Sequence, residues 1–291
     1  MFEMKRLMLG VLGASLLMPI SMLPSSAAEK ILAGQSTRDI KESQSAPNLS
    51  VSVYTPKNTR DDDPAVPMVT DALKLNAAKD AKGALNILTQ AVAKYPQSPV
   101  AWAYKGMIEY YLNDYEGAVT DCGKAINLAP QFGLAYEYRG RGHMWKAKPD
   151  LDKALADLNE SLKHFASGTD LDAWYNCGLA SYNKGDFATA AAMMAVEEGL
   201  TVDWYWFHWY RGCSLHNIGM YDAAQAEAQL GMKSDPKNPD AVYLSALNYE
   251  SSGVKDKAVA QYKAALSMYQ AMNSSLGMGW CNDGLKRLGA M

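Results

Sequence analysis

Cys213 and His216 stand three residues apart in a stretch of helical periodicity, a spacing at which two side chains can reach one metal ion. A zinc site needs three or four ligands, and no other Cys or His is placed to join them. The pair therefore reads as packed core, and no metal is expected. The four cysteines, Cys122, Cys177, Cys213 and Cys281, contain no CxxC or CxxCH spacing, so neither a redox motif nor a haem attachment site is present. The chain also lacks a nucleophile elbow, a Gly-rich phosphate loop, an HExxH motif and paired catalytic carboxylates. Catalysis is not expected, and no cofactor is implied.

Rings are the other residues that could do chemistry. Trp204, Tyr205, Trp206, Phe207, His208, Trp209 and Tyr210 follow one another without a break. One helix face cannot bury all seven, so some are expected to be exposed or bound. Aromatic side chains on a rigid scaffold offer large contact area at low entropy cost, which makes them anchors for a macromolecular partner.

The elements that must position these rings are legible as a repeat. A small residue is followed twelve positions later by an alanine at Ala72 and Ala84, Gly106 and Ala118, Gly178 and Ala190, Gly212 and Ala224, and Ala246 and Ala258. Gly140 and Ala154 form the same pair with two residues inserted. Successive small positions lie 34 apart, apart from one step of 38 between Gly140 and Gly178. Such a period marks a stack of similar structural units. A large residue sits four before the small one in each unit, as at Trp102 and Trp174, and prolines close units at Pro96, Pro130 and Pro236. Two antiparallel helices can approach closely only where one offers Gly or Ala, while bulky neighbours fill the space beside the contact. Asn113-Asp114, Lys184-Gly185-Asp186 and Ile218-Gly219-Met220 are the turns between paired helices.

The segments Trp174 to Phe187 and Trp102 to Ala118 resemble the tetratricopeptide-repeat (TPR) family, whose pattern is W-x2-L-G-x2-Y, then A-x3-F and P. The resemblance covers residues 65–272 as six units, 65–98, 99–132, 133–168, 169–204, 205–238 and 239–272, with a capping helix in 273–291. It implies an all-α, right-handed superhelix of helical hairpins. The first unit departs from the pattern, with Asp71 where an apolar residue is expected. The third and fourth units lack the closing proline, which predicts irregular junctions. In the cap, Leu276, Trp280, Leu285 and Leu288 are expected to face the stack and Arg287 to face water, and three glycines weaken the helix.

In this family the first helix of each hairpin lines a concave groove. The groove positions implied here are Tyr110, Tyr111, Arg141, Trp145, Tyr175, Tyr182, Trp206, Trp209, His216 and Tyr243. A protein or peptide partner is expected there, with a glycan, or a role in polysaccharide export, as the alternative. Asn176 and Arg211 supply only part of the family's C-terminal carboxylate clamp. Cys177 and Cys213 fall on first helices of adjacent units. A bridge needs alpha carbons within about 7 Å, closer than such helices usually pack, so free thiols are expected.

With 48% hydrophobic and 20% charged residues among 291, the chain has apolar material for a large core. A formal net charge of -3 provides no footprint for nucleic acid or an anionic membrane surface. Lys5 and Arg6, an apolar stretch from Leu7 to Leu23 and the small residues Ser25 to Ala28 read as an export signal cleaved at about residue 28. The stretch falls short of the roughly 20 residues that span a bilayer, and an uncleaved anchor is the alternative. A periplasmic or secreted protein with no membrane span after cleavage is expected. Residues 29–64, rich in Ser, Asn, Lys and Asp, read as a solvated linker.

Overall fold

The computed structural model describes residues 63–164, 171–195 and 205–291. The expected signal (1–28), almost all of the expected linker (29–64) and the two proline-free junctions lie outside these residues.

The described residues form helices without a strand. They are α1 (Val66–Ala77), α2 (Ala81–Lys94), α3 (Pro99–Tyr111), α4 (Tyr115–Leu128), α5 (Gly133–Trp145), α6 (Leu151–His164), α7 (Leu171–Lys184), α8 (Phe187–Met193), α9 (Tyr205–Asn217), α10 (Tyr221–Ser234), α11 (Pro239–Ser251), α12 (Lys255–Ala271) and α13 (Ser275–Arg287). Consecutive helices pair as six hairpins, and α13 follows alone.

The turn chemistry repeats with the sequence. A residue of positive φ ends the first helix of five hairpins, at Lys79 (67°), Asn113 (64°), Gly185 (84°), Gly219 (81°) and Gly253 (75°). Glycine and asparagine tolerate this left-handed conformation best, and it lets the next amide bond back into the helix. Asp114 N–H donates to the Glu109 carbonyl and Asp186 N–H to that of Ser181, each at 2.9 Å. The aspartate after the turn then caps the second helix. Asp80, Asp114 and Asp186 accept from the amides of Gly83, Gly117 and Thr189 at 2.8, 2.9 and 3.1 Å. In the third hairpin the two inserted residues lengthen the turn, and Asp150 N–H reaches the His143 carbonyl at 2.9 Å.

The small residues do what their spacing predicts. A methyl group added to Gly106, Gly140 or Gly178 would lie 3.2, 3.0 or 3.4 Å from the carbonyl oxygen of Ala118, Ala154 or Ala190, respectively. Gly212 stands a little farther from Ala224, at 3.7 Å. Ala72, Ala84, Ala246 and Ala258 are also fully buried. Most of the large residues four positions earlier are not deep plugs, however, although Val242 is buried. Trp102 and Trp174 are only half-buried. Trp102 donates its indole N–H to the Pro96 carbonyl at 2.9 Å, and the Lys124 ammonium sits 4.0 Å from its ring centre.

First helices of successive hairpins touch one another, α1 with α3, α3 with α5, α5 with α7, α7 with α9 and α9 with α11. Second helices make no contact of similar extent among the described residues. The stack is therefore closed on the first-helix side and splayed on the other, so the first helices form the inner, concave layer.

The cap is built differently from the expected pattern. Two of its glycines are the contact: a methyl group on Gly277 or Gly284 would fall 2.3 or 2.4 Å from the ring of Tyr269 or Tyr262. They let α13 lie flat on two tyrosines of α12. Leu285 is buried as expected, but Leu276 is 45% exposed, and Arg287, exposed as expected, also pairs with Glu250 of α11 through two bonds of 2.8 and 2.9 Å.

Candidate partner-binding groove

The inner layer carries rings along most of its length, and most of them pack against other rings. Tyr110 and Tyr111 end α3, and α5 brings Tyr138 against both, with ring centres 5.7 and 5.8 Å away. The hydroxyls of Tyr111 and Tyr138 lie 2.6 Å apart. Tyr111 is 46% exposed and is the most open ring of the set. Arg141 projects from α5 into the same cluster. Its guanidinium carbon lies 4.4 Å from the Tyr110 ring centre and 4.8 Å from that of Tyr138, and its Nη1 donates to Glu137 at 2.9 Å. Trp145, at the end of α5, is partly buried beside the next cluster.

That second cluster joins α7 and α9. Tyr182 meets Tyr210 at 5.2 Å, and Trp206 lies 6.2 Å from Tyr210. Tyr182 and Trp206 are half-buried.

Of four other expected groove residues, two are buried and two are half-buried against neighbouring groups. Trp209 is 7% exposed and Tyr175 9%, both inside the core shared by the third to sixth hairpins, with the Tyr175 ring tilted against Phe207 at 5.1 Å. A first helix has neighbours on three sides, namely its own second helix and the hairpins before and after it. It can thus bury more than one face, and Tyr205, Phe207, Trp209 and Tyr210 are all buried. Tyr243 packs under Trp280 of the cap at 5.6 Å. His216 is half-buried, and its Nδ1 lies 2.7 Å from Asn248 Oδ1. Burial holds the His216 imidazole below its ordinary pKa, so the ring favours its neutral form.

Among the described residues no group of three or more His, Cys, Asp or Glu is arranged to hold a metal ion. All four cysteines are buried free thiols, and burial raises the Cys213 thiol well out of the reactive range. Arg211, half of the partial carboxylate clamp, is bound to Glu227 at 2.8 Å, and Asn176 is buried.

A second set of charged residues was not anticipated from the sequence. Lys105, Arg139 and Arg211, each directly before a recurring glycine, pair with Asp121, Asp157 and Glu227, each three residues after the recurring alanine. These bonds tie first helix to second inside the hairpin. The sequence carried the signal, because both halves of every pair keep the repeat's offsets. Lys105 also holds Glu109, whose carboxyl is pushed up to about 7, mainly by burial.

Six helical hairpins stacked through small residues, with ring-bearing first helices inside, constitute a tetratricopeptide-repeat solenoid. Over 197 residues the chain is 27% identical to the TPR repeat-containing protein MJ1428 of Methanocaldococcus jannaschii, a match covering 66% of this chain. It spans only 34% of that relative's length. No protein-family model matches the chain. Among solved structures, YrrB, a TPR protein with an unusual peptide-binding site, superposes with a TM-score of 0.58 at 19% identity, covering 66% of this chain and 96% of YrrB. PilF of Pseudomonas aeruginosa gives 0.62 at 16% identity, covering 74% and 95%. PilW, a widely conserved type IV pilus biogenesis factor, gives 0.59 at 15%, covering 72% and 94%. At these identities the likeness is one of fold. Among the described residues no helix is long and apolar enough to cross a membrane.

Proposed function

We propose that this protein is a non-enzymatic scaffold that holds an extended segment of a partner protein against the inner face of its solenoid, in the cell envelope after export. The observation that carries the reading is the run of partly open rings on first helices: Tyr110 and Tyr111, then Trp145, Tyr182 and Trp206. Each is backed by buried neighbours, so it offers contact area with little rotamer freedom left to lose on binding. YrrB, which shares the fold, has a peptide-binding site. The export reading rests on residues 1–28 alone.

Trp206→Ala and Tyr111→Ala test the groove, since both rings are accessible and neither is part of the deep core. Each variant is expected to weaken capture of a peptide selected on the wild-type protein by about tenfold, the scale of a binding hot spot. The helical melting temperature should barely move. Unchanged capture by both would defeat the groove reading, and quenching of tryptophan fluorescence by envelope oligosaccharides alone would move the ligand class to glycans. Amino-terminal sequencing of the protein from the producing cell tests the export step, with a start at or near residue 29 expected.

A further inference from the structure

Arg141 is the one first-helix cation, among the described residues, that packs on a ring of a neighbouring first helix, Tyr110, as well as on Tyr138 of its own helix. Lys105, Arg139 and Arg211 turn instead to acids on their own second helices. Lys184 bonds Asp152 of the preceding second helix, and Lys74 bonds Asp71 at an exposed surface. Arg141 is not a free charge, however. Glu137, one helical turn earlier and only 3% exposed, accepts from its Nη1 at 2.9 Å. Nε is covered and has no hydrogen-bond partner, and the side chain as a whole keeps 15% of its surface exposed. The Tyr110 and Tyr138 rings beside it help to hold the guanidinium in place.

Resting on the groove reading above, we infer that Glu137 sets the charge specificity of the groove: by neutralising Arg141 it makes the inner face select uncharged, ring-bearing or aliphatic peptide segments and reject acidic ones. A ligand carboxylate seated on Arg141 would also lie near the buried Glu137 carboxylate, and two like charges in a poorly solvated site repel. A main-chain carbonyl accepting from the guanidinium brings no charge and keeps the site neutral. The tyrosine rings around it take the ligand's apolar side chains. A carboxylate clamp would need several free donors converging on one anion. This pair works in the opposite sense.

The test uses peptide display on the full protein, followed by affinity measurements at two salt concentrations. On the wild type, selected peptides should be poor in Asp and Glu. Their affinity should change by less than about twofold between roughly 0.05 and 0.5 M salt, because no net charge is being paired. Glu137→Gln keeps the shape and a hydrogen bond to Arg141 but frees the positive charge. It should bind acidic peptides on the order of tenfold better than the wild type does, and salt should erase the gain. The double variant Glu137→Gln/Arg141→Gln restores neutrality and should return to uncharged peptides, which separates the charge effect from disturbed packing. Wild-type selection of acidic peptides, or a Glu137→Gln variant with unchanged preference, overturns the inference while leaving the groove reading in place. Recovery of no peptide by the wild type defeats the groove reading and this inference with it.

Discussion

Gly106 and Cys122 meet so closely across the second hairpin that a methyl group on the glycine would lie 2.4 Å from the cysteine sulfur. The same methyl group would stand 3.1 Å from the Cys122 amide nitrogen, which belongs to the backbone and cannot swing away. Gly106→Ala must therefore push α3 and α4 apart, although alanine is the better helix former by about 1 kcal/mol. Overpacking of this kind costs about 1 to 3 kcal/mol, and the net change should be destabilising. A urea midpoint at or above the wild-type value would show that the hairpin does not close at this glycine.

Asp157 and Arg139 share two bonds, at 2.6 and 2.8 Å, between α5 and α6. Removing one partner strands the other. Asp157→Leu should cost about 3 kcal/mol, the lower end of the range for breaking a largely buried pair, since Arg139 keeps some exposure. Replacing both by leucine should recover most of that loss, because an apolar contact at this position needs no charge compensation. Chemical denaturation of the two variants in parallel measures the difference, and equal stability would assign the pair no energetic role.

These two cases show where a reading of residues succeeds and where it stops. The interval between Gly106 and Ala118 is a covalent distance, and only a helix pair of fixed geometry repeats it, so the hairpins were legible. The paired charges were written at equally regular offsets, yet Lys105, Arg139 and Arg211 pass for solvated residues until a second helix is laid beside them. Trp209 and Tyr175 fail for the complementary reason. Helix register says that they point toward the inner layer, but not that the next hairpin comes close enough to cover them. Trp280 covers Tyr243 by the same kind of contact, made by a cap whose glycines looked like a weakness. Glu137 and Arg141, four residues apart, carried the ordinary signature of a helix-surface ion pair. Only the rings of α3 and α5 packed around Arg141 set it apart from one.

Glu109 gives the fold a pH dependence whose sign can be worked out. Its carboxyl moves from an ordinary 4.5 to about 7, chiefly through burial, with nearby Asp121 and Asp114 adding to the rise and Lys105 opposing it. The folded chain therefore holds a proton that the unfolded chain has released across this window. The associated stability is fully present below about 4.5 and is lost as pH rises through about 7. His143 and His216 act in the opposite sense. Burial lowers both, so their contribution is present above 6.5 and fades as pH falls below it. The Glu109 effect is accordingly read as a difference. Urea midpoints for the wild type and Glu109→Gln should diverge between pH 5 and 8, with the wild type losing stability relative to the variant as pH rises. Parallel curves would mean that Glu109 is ionised in the folded protein throughout.

Gly284 lets α13 rest on the face of Tyr262, where an added methyl group would come within 2.4 Å of the ring. The ring cannot retreat, because it is fully buried and its hydroxyl is bonded to Glu250, which also holds Arg287. Gly284→Val should lift the cap from α12 while leaving the preceding hairpins paired, since a stacked repeat array couples mainly to its nearest neighbours. Trp280 would then leave Tyr243 and enter water. The expected result is faster amide exchange confined to α13 and the adjoining parts of α11 and α12, together with a red-shifted tryptophan emission. Exchange that accelerates equally from α1 to α13 would instead make the cap part of one cooperative unit, and the nearest-neighbour account of this solenoid would fail.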